Sequence, residues 1–539
     1  MGTSAAGLAA LRDPVSNRGT AFPDGDRERL GLRGLLPPAV ESLAQQAARA
    51  LENLRGKTSP IEKYLYLSEL QNENETLFYR VVLDNLQEVL PLVYTPTVGQ
   101  ACQEWSRRYV RPRGLYITPE DRGRVARILA AWPRPEVGII VVTDGGRILG
   151  LGDLGLNGMG IPIGKLALYT ACAGVPPERC LPVTLDVGTN TAAVRDDPFY
   201  LGRRAPRLTG PDYDALIEEF VAATQEVFPG VVVQFEDFNN ANAFRLLARY
   251  RDRLCCFNDD VQGTGAMGLA GLYVAGRITG RRLVDERILF VGAGEACLGI
   301  GSTVASAMRS AGLSGTQARE QCLFIDSKGT VVSSRADLPP HKRAVAQDRA
   351  PLPDLVATVA SFRPAVLIGA SGQGGIFTPE VLRTLASGCE RPVVFALSNP
   401  TSKSECTAEQ AYSATDGRAI FASGSPFAPV TRDGRTLASG QANNSYIFPG
   451  VGLGLLVSGA RRVVDPMFFA AAHALADCVA ESDLAAGRVF PLQDRMRDVA
   501  AAVATVVAGV AFEQGLATRP HPADIGAAVR AAMYVPEYR

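Results

Sequence analysis

The pattern of apolar and polar positions changes twice along the chain. Residues 31–112 carry apolar side chains at helical spacing, and Ser59-Pro60-Ile61-Glu62 is a capping box with proline at the first helical position. The helix predicted over Glu73 to Leu90 should stop at Pro91. From Gly138, short apolar runs alternate with helical segments, and after Asn444 the pattern is helical again. This order predicts a helical region followed by α/β structure.

Two of the predicted strands end in acids. The apolar run Val231–Phe235 leads into Glu236-Asp237, and Leu254–Phe257 leads into Asn258-Asp259-Asp260. Buried apolar runs of this length are typical of parallel strands, whose carboxyl ends bind ligands in open α/β sheets. Carboxylates that converge there repel one another unless a cation lies between them, and oxygen ligands favour Mg²⁺ or Mn²⁺. The alternative interpretation is that these are solvated acids at strand ends.

The backbone after Phe235 is predicted to turn. Glu236 and Asp237 are adjacent, so an extended backbone would direct their side chains to opposite faces of the sheet. Both carboxylates can serve one ion only if the strand ends before them.

Two glycine-rich segments match a dinucleotide-binding pattern. Gly150-x-Gly152-x-x-Gly155 follows a predicted strand over Arg147–Gly152 but leads into a helix that contains Lys165. Gly292-Ala293-Gly294-Glu295-Ala296-Cys297 follows the strand Arg287–Val291 and opens a helix from about residue 297 to residue 311. The next strand closes with Asp326, where an acid can hold a ribose hydroxyl. We therefore prefer the second segment, although cysteine replaces its third glycine.

Three more strands, each followed by a polar turn, complete a predicted doubly wound sheet of five or six strands. They span Ala365–Gly369, Pro392–Leu397 and Ala419–Ala422. Asn399 lies in the turn after the second of them. Further on, Asn443-Asn444 suits a ligand carboxylate or a nicotinamide, and an Asx turn explains the pair equally well.

Composition narrows the class of protein. The 539 residues imply two to four domains, and 55 basic residues balance 55 acidic ones, so a nucleic-acid or membrane surface is not expected. The ten cysteines include no C-x-x-C pair, which indicates free thiols in a reducing compartment. Residues 1–30 resemble a disordered tail without a signal peptide, and the apolar runs 436–460 and 499–512 are interrupted or too short to span a membrane. We expect a cytoplasmic protein.

Taken together, these segments resemble malic enzymes. The resemblance covers about residues 30–515, with eight blocks in the same order and approximate spacing. The matching blocks are Val93–Gly99, Thr143–Gly155, Gly160–Leu166, Gln234–Phe238, Phe257–Thr264, Gly292–Gly299, Ser398–Thr401 and Asn443-Asn444.

The resemblance implies an α/β fold with a helical N-terminal domain, a split α/β substrate domain and an inserted Rossmann-type doubly wound domain. The expected boundaries are a tail at 1–30, the helical domain at 31–112, the substrate domain at 113–258 and 444–515, the NAD(P)-binding domain at 259–443, and a C-terminal tail at 516–539. Members of the family are usually homo-oligomers, so a dimer or tetramer is expected, with the helical domain as a plausible interface.

The same resemblance implies oxidative decarboxylation of L-malate to pyruvate and CO₂, with reduction of NADP⁺ or NAD⁺ and a divalent metal, Mg²⁺ or Mn²⁺. Glu236, Asp237 and Asp260 would bind the metal. Lys165 would be the general base, with Asp259 beside it, and Tyr94 the general acid. The residues expected to bind malate are Arg147, Asn399, Asn443 and Asn444.

The chemistry of malate supports these roles independently. Its two carboxylates suit a guanidinium fork such as Arg147. Hydride transfer from C2 requires removal of the hydroxyl proton, and a lysine, whose free pKa is about 10.4, can accept it once a nearby cation and desolvation lower that pKa. Loss of CO₂ then leaves an enolate, which a metal stabilises as a Lewis acid. A rigidly held Tyr94 can protonate the C3 atom of this enolate. Taken alone, however, a tyrosine in such a loop is more often a packed aromatic.

The choice between NADP and NAD depends on the end of the second Rossmann strand. Asp326 favours a free ribose 2′-hydroxyl, whereas the nearby cations Lys328, Lys342 and Arg343 can neutralise a 2′-phosphate. The passage from Asp326 to Arg335 looks like the NADP-using branch of the family, which we therefore favour. The expected cofactor-binding residues are Thr264, Gly292, Gly294, Glu295, Ala296, Asp326, Ser327, Lys328, Lys342, Arg343 and Asn399.

Two other functions are compatible with the same pattern. A malolactic-type enzyme would retain NADH and release lactate, and its active-site residues would not differ. An inactive nucleotide-binding regulator would lack Lys165, Tyr94 or one of the acids, all of which are present.

Overall fold

The computed structural model describes residues 3–432 and 434–538. The chain divides into two units. The first contains residues up to 145, residues 153–227 and residues from 532 onwards, and the second contains Gly146–Gly152 and Phe228–Ala531. The boundaries predicted for the five segments stay predictions.

The first unit is mainly helical and contains three strands. Its helices are α1 Thr3–Arg12, α2 Asp24–Arg29, α3 Leu43–Arg55, α4 Pro60–Glu73, α5 Glu75–Asp84, α6 Leu86–Val93, α7 Thr97–Gln103, α8 Trp105–Arg108, α9 Val125–Ala130, α10 Gly160–Ala173, α11 Ala192–Arg195 and α12 Gly210–Val227. Its strands are β1 Leu115–Ile117, β2 Ile139–Thr143 and β3 Cys180–Leu185. Strand β3 pairs in parallel with both β1 and β2.

The disorder predicted for residues 1–30 is wrong for residues 3–30, and residues 1 and 2 lie outside the described residues. Helices α1 and α2 lie within this segment, and Arg27 is 3% exposed. Its guanidinium donates to backbone carbonyls of Thr20, Phe22, Pro37, Pro38 and Ala39. A single arginine thus satisfies the backbone of a segment that is poor in apolar residues, which composition alone does not reveal. At the other end of the chain, Tyr538 hydrogen-bonds to Asn74 and Gln46.

Two local predictions in this unit fare differently. The capping box at Ser59 is confirmed, since its hydroxyl accepts the N–H of Glu62 and the Glu62 carboxylate accepts that of Ser59. The stop predicted at Pro91 is wrong, because α6 starts anew after Asn85 and continues to Val93. Proline lies in the second turn of this short helix, where it removes one backbone hydrogen bond without ending the helix.

The second unit contains a strand pair, a larger sheet and a C-terminal group of helices. Its strands are β4 Val232–Phe235, β5 Cys256–Asn258, β6 Ile288–Val291, β7 Cys322–Asp326, β8 Gly329–Thr330, β9 Val366–Gly369, β10 Val393–Ala396, β11 Ile420–Ser423, β12 Val430–Arg432, β13 Arg435–Leu437 and β14 Gly440–Gln441. Its helices are α13 Asn240–Tyr250, α14 Thr264–Thr279, α15 Glu295–Ser310, α16 Gly315–Gln321, α17 Pro340–Arg343, α18 Leu355–Phe362, α19 Pro379–Gly388, α20 Ala408–Ala414, α21 Phe448–Ser458, α22 Asp465–Asp477, α23 Glu481–Ala485, α24 Met496–Glu513 and α25 Ile525–Ala532.

The larger sheet is doubly wound, as predicted. Its order is β14-β11-β10-β9-β6-β7-β8, and the register is parallel throughout except for the short hairpin strand β8. The order of strands reverses between β6 and β9, and this switch point is where such sheets open a crevice for a ligand. The six parallel strands include β14, which is too short to be recognised from its sequence.

One other element departs from expectation. The predicted strand over Arg147–Gly152 is a tight bend closed by a bridge between Ile148 and Gly152. This glycine-rich segment therefore lacks the preceding strand that a dinucleotide turn needs. The apolar run 499–512 lies in α24, which packs against α21, and within the described part of the chain no helix is long and apolar enough to cross a bilayer.

Candidate active site

Three carboxylates converge at the carboxyl ends of β4 and β5. Strand β4 ends at Phe235, as predicted, and Asp237 adopts a φ of +54° that turns the chain. Ligand oxygens of Glu236, Asp237 and Asp260 all lie within 4.8 Å of one another, and the Asp237 N–H donates to Asp260 Oδ2 over 2.8 Å. A left-handed conformation costs a non-glycine residue about 1–2 kcal/mol, and aspartate tolerates it better than most residues. The set fits a hard divalent cation such as Mg²⁺ or Mn²⁺.

The orientation of Glu236 depends on Gln234, which sequence analysis missed. The amide Nε2 of Gln234 donates to Glu236 Oε2 over 2.7 Å, and both side chains are buried. The two residues are two positions apart at the end of a strand, so they share a face. The spacing of two residues could therefore have predicted that Gln234 contacts Glu236.

The turn after β5 orients Asp259. Residues Asp259–Gly263 form a single π-helical turn, and a Cβ on Gly263 would lie 1.7 Å from Asp259 Oδ1. The amide Nδ2 of Asn444 donates to Asp259 Oδ2 over 3.1 Å and to Thr264 Oγ1 over 2.8 Å. Asn443, in contrast, accepts the Ser445 N–H, which is the Asx turn of the alternative interpretation. Asn444 is therefore placed to fix the Asp259 carboxylate.

Tyr94 and Lys165 lie together in the first unit. The Lys165 ammonium nitrogen lies 5.6 Å from the centroid of the Tyr94 ring, and both residues are buried. A Cβ on Gly164 would lie 2.9 Å from Tyr94 Cδ2, so glycine beside the lysine lets the ring pack against α10. The two candidate proton-transfer groups, 71 positions apart in sequence, thus form one pair.

Arg147 lies on the tight bend next to the acid cluster. Its backbone N–H donates to the Asp237 carbonyl over 3.0 Å, and its guanidinium contacts the Asn240 side chain. The side chain is 42% exposed and lies 3.9 Å from the Glu295 carboxylate, at the start of α15. An exposed guanidinium beside both the acid cluster and the dinucleotide turn is well placed to bind a substrate carboxylate.

The dinucleotide turn joins β6 to α15. Gly292 has a φ of +115°, and a Cβ there would lie 2.9 Å from the Ala370 carbonyl oxygen. Gly294 and Ala296 are partly exposed where α15 begins, at Glu295, so backbone N–H groups of this terminus can receive a pyrophosphate. Cys297 is buried, and burial raises its pKa to about 12, so it stays a thiol.

The close packing expected of the third glycine occurs further along α15. A Cβ on Gly301 would lie 2.3 Å from the Phe324 ring on β7, and one on Gly299 would lie 2.4 Å from the Val261 carbonyl oxygen. Cysteine is therefore tolerated at position 297 because other glycines let the helix approach.

Asp326 lies between two cations. Arg335 Nη1 lies 2.8 Å from Oδ1, and Lys342 Nζ lies 2.6 Å from Oδ2. Burial alone would raise the pKa of Asp326, but hydrogen bonds from Arg335 and Lys342 hold it below its usual value. Arg335 also pairs with Asp337 over 3.1 Å, and Lys328 contacts the same Asp337. Three cations therefore face two carboxylates, and the net positive charge suits a 2′-phosphate.

The neighbouring candidates have other contacts. Lys328 pairs with Asp337 over 3.0 Å, Ser327 is exposed, and Arg343 donates to the backbone carbonyls of Ala336 and Leu338. Sequence analysis did not select Arg335, which reaches Asp326 across the β7–β8 hairpin. In the sequence, the only indication of this contact is that Arg335 follows Asp326 by nine residues.

Asn399 follows β10 and is exposed. Its Oδ1 accepts the Ser425 hydroxyl over 2.8 Å, and a Cβ on Gly424 would lie 2.8 Å from its Nδ2. Within residues 3–432 and 434–538, Nδ2 donates no hydrogen bond. The hydrogen bond to Oδ1 thus orients the Asn399 amide, and Nδ2 can donate to a ligand carbonyl or carboxylate.

The chain is similar to known proteins over most of its length. A family model described as "Malic enzyme, N-terminal domain" matches residues 71–251, and one described as "Malic enzyme, NAD binding domain" matches residues 261–512. The NADP-dependent malic enzyme of Rattus norvegicus is 48% identical over 535 residues, which cover 99% of this chain and 94% of the relative. NADP-dependent malic enzyme 1 of Arabidopsis thaliana is 49% identical over 537 residues, covering 99% and 92%.

Solved structures share the fold. The malic enzyme of Entamoeba histolytica superposes with a TM-score of 0.59 at 22% identity, covering 93% of this chain and 90% of that one. The malic enzyme of Pyrococcus horikoshii gives 0.56 at 24% identity, covering 83% and 88%.

Proposed function

The chain belongs to the malic enzyme family, and we propose that it oxidatively decarboxylates L-malate to pyruvate and CO₂ with NADP⁺ as hydride acceptor and a divalent metal, Mg²⁺ or Mn²⁺. The observation that carries the proposal is the convergence of Glu236, Asp237 and Asp260 on one point at the ends of two parallel strands. A divalent ion held there supplies Lewis-acid stabilisation of the negative charge that develops on the substrate oxygen.

The protein groups bind malate and move its protons. Arg147 binds a malate carboxylate, and Asn399 orients the substrate or the nicotinamide through its Nδ2 donor. Lys165, in its neutral form, accepts the proton of the C2 hydroxyl, with Asp259 held in orientation by Asn444. Tyr94 protonates C3 after CO₂ has left.

NADP⁺ is the cofactor we propose, for two reasons. Relatives named NADP-dependent malic enzymes are 48–49% identical over nearly the whole chain. Asp326, which would repel a 2′-phosphate, is already paired with Arg335 and Lys342. Lys328, Arg335 and Lys342 together outnumber Asp326 and Asp337, and this net positive charge favours binding of the 2′-phosphate.

A spectrophotometric assay tests the function. The purified chain is incubated with L-malate and Mn²⁺ and with either NADP⁺ or NAD⁺, and reduced nicotinamide and pyruvate are measured. We expect NADPH and pyruvate in equal amounts. Lactate without accumulated NADPH or NADH would indicate the malolactic-type reaction, and no product would favour a regulator.

Replacement of Lys165 tests the proposed base. Lys165→Ala should lower kcat by about 10²–10⁴-fold, because a general base contributes that much, while the Kd for NADP⁺ stays within a few-fold. Lys57→Ala is a matched control, since this lysine also lies over a tyrosine ring, at 5.7 Å, but is exposed. Equal turnover in the two variants would exclude Lys165 as the base.

We also propose that the protein is a homo-oligomer, a dimer or tetramer, in the cytoplasm. Val110, in the helical region, is 84% exposed, and Phe199 and Leu201 are more than half exposed, which suits contact with a second copy. All ten cysteines are free, as a reducing compartment allows. Light scattering of the wild type and of Val110→Asp tests the assembly, and fractionation of the source cells tests the location.

A further inference from the structure

A buried carboxylate with no role in the proposed chemistry lies behind the crevice of the larger sheet. Glu405 is fully buried between the loops that follow β9 and β10. Its Oε1 accepts the Ser371 N–H and hydroxyl, both over 2.8 Å, and the Ser398 hydroxyl over 2.5 Å. Its Oε2 accepts the Ser398 N–H over 3.2 Å. An ionised carboxylate only accepts hydrogen bonds, so it matches four donors.

These bonds connect the ends of two neighbouring strands. The Ser398 hydroxyl also accepts the Gly372 N–H over 2.9 Å, which joins the two loops directly. A Cβ on Gly369, the last residue of β9, would lie 2.6 Å from Glu405 Cγ, so glycine makes room for the carboxylate. The residue after Ser398 is Asn399, whose Nδ2 donor is proposed above to orient the substrate or the nicotinamide.

We propose that Glu405 is a positioning residue that holds the nicotinamide half of the cofactor site in shape by fixing the loops 370–372 and 398–399. In a doubly wound sheet, the strands on one side of the switch point bind the adenosine half and those on the other side bind the nicotinamide half. Asp326 lies on the adenosine side, at the end of β7, and the two loops lie on the opposite side, at the ends of β9 and β10. The inference rests on the proposed function.

The substitution Glu405→Gln tests the role because it keeps the shape and changes the hydrogen bonding. A glutamine has one acceptor oxygen and one NH₂ group, which is a donor. Both oxygens of Glu405 accept hydrogen bonds from Ser371 or Ser398, so in either orientation of the glutamine amide its NH₂ group would meet another donor. The loops should then separate locally, while β7 and the dinucleotide turn stay in place.

Two ligands separate positioning from general stability. NADP⁺ spans both halves of the site, whereas 2′,5′-ADP occupies only the adenosine half. By calorimetric titration, Glu405→Gln should raise the Kd for NADP⁺ about tenfold, equivalent to about 1.4 kcal/mol, and change the Kd for 2′,5′-ADP by less than about twofold. The KM for NADP⁺ should rise in parallel.

Glu286→Gln is the matched control. Glu286 is also a buried acid, 7% exposed, but it lies at the amino end of β6 and accepts a hydrogen bond from Arg281 Nε over 2.7 Å. We expect it to lower thermal stability without changing either Kd. If Glu405→Gln is insoluble, the double variant Ser371→Ala/Ser398→Ala removes two hydroxyl donors and should give the same selective loss, only smaller.

Equal weakening of both ligands, or no weakening of either, would overturn the proposal. Binding does not require turnover, so a wild-type protein that binds NADP⁺ but forms no NADPH counts against the proposed function and leaves the test of Glu405 intact.

Discussion

Strands β4 and β5 end in three carboxylates whose ligand oxygens lie within 4.8 Å of one another, whereas β7 ends in a single carboxylate held between two cations. Both ends belong to parallel strands, and both place acids where α/β sheets bind ligands. The first group suits a cation and the second suits an anion.

The difference shows that the charge around a strand end determines which ligand it can bind. Asp326 taken alone predicts a free ribose hydroxyl, yet three cations, Arg335, Lys342 and Lys328, outnumber Asp326 and its neighbour Asp337. At the acid cluster, backbone geometry matters more, since the left-handed turn at Asp237 brings adjacent acids to one place. The four experiments below test this contrast, in order of expected effect.

The largest effect is expected from Asp260→Asn. Asparagine can still accept the Asp237 N–H but carries no charge, so the affinity for Mn²⁺ should fall. We expect kcat/KM to drop by about 10²–10³-fold, typical of losing one electrostatic stabiliser of the transition state. Titration of Mn²⁺, followed by calorimetry, measures the binding. Asp252→Asn, at an exposed ion pair with Arg462, is the control, and equal Mn²⁺ affinity in both variants would mean that the cluster is not the metal site.

Lys342→Ala should weaken binding of the 2′-phosphate at the end of β7. It removes one of two charges beside Asp326, so kcat/KM for NADP⁺ should fall roughly 10–100-fold, as expected for one hydrogen bond to a charged group, while that for NAD⁺ changes little. Arg282→Ala, at an exposed ion pair with Asp285, is the control. Similar losses with both cofactors would contradict the assignment of Lys342 to the phosphate.

These two strand ends show which parts of the candidate site could be predicted from the sequence and which could not. The turn after Phe235 followed from alternation along a strand, because two adjacent acids cannot otherwise serve one ion. The pairing of Asp326 with Arg335 did not follow, since it depends on how a hairpin and the loop after it fold back. Local periodicity carries no information about such contacts.

The fold shows the same limit. Strands β6, β7, β9, β10 and β11 were predictable from apolar runs bounded by polar turns, whereas β14 is two residues long and β8 is a hairpin return. The bend at Arg147–Gly152 looked like a strand, but its glycines close it into a turn that presents Arg147. The segment 3–30 was expected to be disordered from its composition, which does not show that Arg27 hydrogen-bonds its backbone.

Gly299→Ala tests whether the acid cluster is coupled to helix α15, which follows the dinucleotide turn. A Cβ there would lie 2.4 Å from the Val261 carbonyl oxygen, one residue after Asp260, so α15 or the turn must shift. Overpacking of this kind costs about 1–3 kcal/mol, and we expect Mn²⁺ affinity to fall about tenfold as the turn moves. Gly388→Ala, with open space around its Cβ position, is the control. A loss of NADP⁺ affinity with Mn²⁺ affinity intact would show that the helix moves and the turn does not.

The smallest effect concerns the pH dependence of stability at Asp326. Its pKa is held below the usual value, so its ion pairs contribute fully above about pH 4 and are lost as the pH falls through the lowered pKa. Asp326→Asn should therefore lower the urea unfolding midpoint by an amount equivalent to about 1 kcal/mol at pH 7, a value reduced by solvent screening. The gap between wild type and variant should stay constant from pH 8 to about pH 5 and close below about pH 4.

Saturating Mn²⁺ should raise both midpoints and leave the gap unchanged, because the metal site lies at the other strand ends. A gap that closed on addition of Mn²⁺ would mean that the two strand ends are coupled. A gap that closed already between pH 7 and pH 5 would mean that the pKa of Asp326 is not lowered.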